Sequence, residues 1–123
     1  MRYMVLLKAA QPDTPPPADL MEAIAKLGQE ATVAGALLDT AGLAPSASAA
    51  RVRMAEGGLS VTDGPFTESK ELISYALYDV RSKEEAVEWT ARFMRLHRDL
   101  WEGWDGEAEV VKVLGPEDFA PPA

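Results

Sequence analysis

The sequence predicts an α+β fold in which two helices cover one face of an antiparallel sheet. Three observations point there. Short runs rich in β-branched and aromatic residues alternate with two stretches of helical periodicity. Glycine and proline clusters punctuate the boundaries. The resulting order is β-α-β, a hairpin-rich middle, then β-α-β, which is the ferredoxin-like split βαβ plan.

The apolar run RYMVLLK, Arg2 to Lys8, reads as the first strand. AAQPDTPPP is a loop whose prolines suit only the first turn of a following helix, with Asp13 or Thr14 as cap. Leu20, Ala23, Ile24, Leu27, Ala31 and Ala34 recur at helical spacing, so the first helix runs from about Pro16 to Ala34, with Gly35 as its stop. ALLDTAGLAP is weakly strand-like. ARVRMA and LSVT flank Glu56-Gly57-Gly58 and read as a hairpin. ELISYALYDV, Glu71 to Val80, is a strand. Ser82 caps the second helix, Glu85 completes a capping box, and the helix reaches about Trp101. AEVVKVLG, Ala108 to Gly115, is the last strand, and PEDFAPPA is a tail expected to fray at its end.

A chain of 123 residues fits one domain, 1–123, with residues 116–123 partly flexible. At 47% hydrophobic residues it can build a packed core without covalent staples. It has no cysteine, which excludes disulfides, thiolate metal sites and a cysteine nucleophile. One histidine leaves only carboxylates to complete a metal site, so neither metal nor cofactor is expected. Twelve basic against 20 acidic residues give a net charge of −8, which disfavours nucleic acid and anionic membrane surfaces as direct partners. The apolar run in MRYMVLLKAA is too short for a signal-peptide core or a membrane span, so the expected location is the cytoplasm.

Both faces of the sheet read as apolar. In Glu71 to Val80, Ile73, Tyr75 and Leu77 point one way, and Leu72, Ala76, Tyr78 and Val80 the other. In the first strand Tyr3, Val5 and Leu7 oppose Met4 and Leu6. Two helices cover one face only, so the sequence predicts a homodimer packed sheet to sheet.

The segment VTDGPFTESKE invites two readings. In one it is architecture: Gly64 and Pro65 set a turn, Asp63 accepts backbone hydrogen bonds, and Phe66 anchors the loop in the core. In the other, Asp63, Glu68, Lys70 and Glu71 stand at the mouth of a sheet-lined cavity. DGPFTESKE resembles the signature of the YCII-related family, also called the DGPF-domain family. The likeness extends to RYMVLLK, GLAPSASAARVR, ISYALYDV and EAVEW. It implies a ferredoxin-like dimeric α+β barrel and a regulatory context beside extracytoplasmic-function sigma factors. The better-studied branch of that family pairs a histidine early in its first helix with a late aspartate. Here that helix begins PADLMEAIAK, so the pair does not carry over.

His97 is the only histidine, on the same helical line as Ala86, Thr90, Phe93, Leu100, Trp101 and Trp104. It reads either as a buried structural ring or as a general base facing a cavity, with Asp39 or Asp63 orienting it. The catalytic candidates are therefore His97, Asp39 and Asp63, and the ligand-binding candidates Asp63, Phe66, Glu68, Lys70, Tyr75 and Trp101. No phosphate loop, dinucleotide fingerprint, zinc motif or nucleophile elbow is present. The expected function is binding of a small, partly apolar molecule between sheet and helices, with weak acid–base or hydrolytic activity. The rival expectation is a non-catalytic regulatory module whose partner belongs to a sigma-factor system.

Overall fold

A computed structural model describes residues 1–10 and 12–119. Its main elements are β1 (Arg2–Ala9), α1 (Ala18–Val33), β2 (Leu37–Gly42), β3 (Ala50–Ala55), β4 (Gly58–Asp63), β5 (Glu71–Asp79), α2 (Lys83–Leu100) and β6 (Gly106–Lys112). Short 3-10 turns occupy Ser46–Ser48 and Pro116–Phe119. The main sheet is antiparallel in the order β2-β5-β1-β6, and β3 and β4 form a separate two-stranded sheet. This is the expected α+β arrangement of two helices and an antiparallel sheet.

β1 is bonded on both sides, and its alternation sets the two faces. Tyr3, Val5, Leu7 and Ala9 are buried against the helices, whereas Met4, Leu6 and Lys8 lie on the opposite face. Opposite them, Tyr78, Ala76 and Ser74 of β5 and Val110 and Ala108 of β6 share the helix side. Leu20 of α1 and Ala86 of α2 are completely buried. A bulge changes the expected partition of β5. Leu7 pairs with Ser74 but Lys8 pairs with Leu72, so Ile73 is the extra residue. Leu72 therefore joins Tyr75 and Leu77 on the open face instead of Ala76 and Tyr78.

Several boundaries differ from the sequence reading. The prolines stand ahead of α1, not inside it. Pro17 occupies the cap position, without a side-chain hydrogen bond from Asp13 or Thr14. Glu85 N–H donates to Ser82 Oγ at 3.2 Å as expected, but the Glu85 carboxylate accepts from Arg81 N–H at 2.9 Å, one residue before the cap. Leu100 is 37% exposed and leaves the buried line of α2. β6 starts and ends earlier than expected, and Pro116–Phe119 forms a 3-10 turn, with Gly115 N–H donating to Asp118. Of the tail expected to be partly flexible, residues 116–123, residues 120–123 lie outside the described residues. In the hairpin the turn is Glu56-Gly57, with φ of 52° and 78°, while Gly58 already pairs with Ala55. Two positive φ values in succession define the tight turn that suits strand twist, and glycine meets the second at no steric cost.

The DGPF segment is fastened to the Ser46–Ser48 turn. Gly64 N–H donates to the Ala49 carbonyl at 2.8 Å, and Phe66 N–H donates to Ser46 Oγ at 3.2 Å. Ser46 Oγ in turn donates to Glu71. The Gly64–Pro65 peptide is cis. A Cβ on Gly64 would stand 1.7 Å from the Ser46 carbonyl oxygen, so only glycine permits this approach. Phe66 is half-buried and does not enter the core as expected; the Arg51 guanidinium covers its ring at 4.1 Å. Gly64→Ala should therefore destabilise the protein by at least about 1–3 kcal/mol, because backbone has to move. Phe66→Ala should cost less than the ~3–5 kcal/mol of a fully buried aromatic. Urea unfolding of both variants measures this ranking.

Candidate functional site

Beneath α1, between that helix, β2, β5 and the C-terminal half of α2, lies a cavity of about 670 Å³. That size falls in the usual range of small-molecule sites, about 300–1,000 Å³. Small residues open the space: Ala25 and Gly28 of α1 face it where a longer side chain would reach β2. An ideal Cβ on Gly28 meets nothing nearer than Leu37 Cδ2 at 4.0 Å. Leu20, Ile24, Leu37 and Phe93 supply apolar walls.

His97 stands in the wall, 5% exposed. The turn of α2 brings its Nδ1 within 3.0 Å of the Phe93 carbonyl. The rings of Phe93 and Trp104 lie 4.6 and 4.4 Å from the imidazole centroid. Trp101 stacks on Trp104 at 6.3 Å and also lines the cavity. Burial holds the imidazole below its ordinary pKa, opposed only by the Phe93 carbonyl. Burial also raises the pKa of Tyr78, which is 7% exposed in the same wall.

The structure gathers some of the sequence candidates and separates others. His97 and Trp101 line the cavity, whereas Tyr75 borders it along the strand, where its carbonyl accepts from Thr40 Oγ1, and its side chain lies with Leu6 on the open face. Asp39 does not orient His97; its carboxylate accepts from the Tyr75 hydroxyl at 3.0 Å, on the exposed side of the sheet, and this raises the Tyr75 pKa. Asp63 does not orient it either, since it ends β4 on the separate hairpin. Glu68 pairs with Arg51 at 2.8 Å and Lys70 with Glu107 at 3.9 Å, both pairs exposed. With Phe66 under Arg51, these residues form a surface network around the DGPF segment, away from the cavity lining. The sequence reading passes over Thr32, Thr40 and the small residues Ala25 and Gly28, which also line the cavity. Gly28 is the one readable sign of it, since a glycine beside Leu27 within an apolar helix face costs helix stability and implies a spatial reason.

Fold and site together define a small split-βαβ domain with an apolar cavity between its sheet and its helices. The chain belongs to the YCII-related domain family, whose pattern matches residues 1–103. No curated protein matches it. The match stops before Trp104, the ring that closes over His97, and before β6, which completes the sheet against β1.

The imidazole provides a direct measurement. Its folded pKa lies below the unfolded value near 6.5, so its contribution to stability is fully present above that value and is lost as pH falls through the folded pKa. An NMR titration of the single histidine should give a midpoint below 6.5, with stability falling on the acid side; a midpoint above 7 would require a carboxylate contact.

Proposed function

We propose that the protein binds a small, partly apolar molecule in the cavity beneath α1. The observation that carries this reading is an apolar cavity of about 670 Å³ with a buried histidine in its wall. A neutral imidazole is also the group there best suited to proton transfer near neutral pH, which supports weak acid–base chemistry at His97. The neutral fluorophore N-phenyl-1-naphthylamine should bind and brighten. Gly28→Leu should weaken that binding by filling the cavity, while Gly28→Ala should raise stability by about 1 kcal/mol through helix propensity. Binding unaffected by Gly28→Leu would place the fluorophore elsewhere.

The open face of the sheet supports a homodimer. Met4, Leu6, Leu72, Tyr75 and Leu77 form an apolar centre there, bordered by Lys8–Glu109 and Lys70–Glu107 ion pairs. A self-complementary sheet-to-sheet contact buries that centre. Leu77→Lys should then shift the sedimenting species from dimer to monomer at micromolar concentration, and an unchanged mass would remove this face from the interface.

A second reading, a non-catalytic module in a sigma-factor system, is favoured by the hairpin. Val52 and Met54 pair with Val61 and Leu59, and all four are about 67–73% exposed. An apolar ladder on one face of an unpacked hairpin suits contact with another protein chain.

A further inference from the structure

We propose that the ligand of this cavity is a neutral ring compound bearing a hydroxyl group, whose O–H donates to Nε2 of His97. This inference rests on the cavity reading above and adds the chemistry of the occupant. Two features of the wall carry it.

The first is the direction of the imidazole. Nδ1 faces the Phe93 carbonyl at 3.0 Å, and a carbonyl only accepts. In the neutral ring Nδ1 therefore carries the hydrogen, and Nε2 is left as a bare acceptor. Among the described residues no buried side-chain nitrogen or oxygen lacks a partner, yet the imidazole's hydrogen bond is made through Nδ1. Nε2 is therefore not sealed off, and the cavity His97 lines is where we infer that a ligand reaches it. A ligand meeting it must bring a hydrogen.

The second is the company His97 keeps. Among the described residues no Asp, Glu, Lys or Arg lines the cavity, so a charged ligand would lose its hydration with no opposite charge to replace it. The hydroxyls of Thr32, Thr40 and Thr90 donate to the carbonyls of Gly28, Tyr75 and Ala86 at 2.7, 2.8 and 2.8 Å. Their hydrogens are spent, and only their lone pairs remain to a ligand. Ser74 and Tyr78 can serve as donor or acceptor and bias neither way. Phe93, Trp101 and Trp104 surround the imidazole with flat apolar surface, which suits a planar ring by stacking.

Calorimetric titration of the full chain at pH 8 with 2-naphthol, 2-methoxynaphthalene and 2-naphthoate tests this. The three share a ring system and differ in donor and charge. 2-Naphthol should bind roughly 3–10-fold tighter than its methyl ether, as one net hydrogen bond allows, and the carboxylate should bind weakest. His97→Leu should bring naphthol down to the affinity of the ether. In the unmodified protein, the Nε2 resonance should move on adding naphthol and stay in place with the ether, which removes any dependence on how the variant folds. Equal affinity for naphthol and ether, or an unmoved Nε2 resonance, would overturn the hydroxyl assignment and leave the cavity reading standing. Tighter binding of the carboxylate would overturn the neutral class. Failure of all three, and of N-phenyl-1-naphthylamine, would overturn the cavity reading and this inference with it.

Discussion

The pairing of β1 on both of its edges is the constraint from which the rest of the structure follows. With β5 on one side and β6 on the other, the strand cannot rotate or slip without breaking two ladders. Its period of two then commits Tyr3, Val5, Leu7 and Ala9 to the helices and Met4 and Leu6 to the opposite face. The helices must bring apolar surface to the first set, which places Leu20, Ala31 and Ala86 in the core. β6 belongs to this constraint although it lies beyond the span that matches the family, because Val5 and Leu7 face Val110 and Ala108 across the ladder.

The cavity arises where this packing is incomplete. α1 is tied to α2 by the Arg92–Glu30 ion pair, but its face toward β2 and β5 carries Ala25 and Gly28. Those side chains are too short to fill the distance. Dense interiors are the rule in small domains, and an unfilled apolar volume of this size forgoes dispersion contacts that a longer residue would supply. Holding such a space beside a buried imidazole agrees with a binding role better than with stability alone.

The DGPF segment shows how a specific sequence pattern can serve architecture. Its close approach to the Ser46–Ser48 turn needs Gly64, its hydrogen bonds run to Ser46 and Ala49, and its charges pair on the surface. The same contacts join the hairpin to the start of β5 and so fix the strand that forms part of the cavity wall. It bears on the cavity through position, not through contact.

Much of the fold was legible in the sequence. The alternation in RYMVLLK and ELISYALYDV, the Ser82 cap and the helical line through Ala86, Thr90, Phe93 and His97 are local patterns, and local periodicity decides element type and which residues face inward. Burial of His97 followed from that line. Family membership followed from the residues around DGPF. Other features depended on the tertiary structure. The bulge at Ile73 moved Leu72 to the other face, because register is set by the partner strand and not by the strand itself. The carboxylates expected near His97 went to Tyr75 and the hairpin, because one-dimensional spacing does not say which loops meet. A space between sheet and helices was expected, but its lining was not legible for the same reason: empty space belongs to no residue, and its walls exist only once α1, β5 and α2 have been placed against one another.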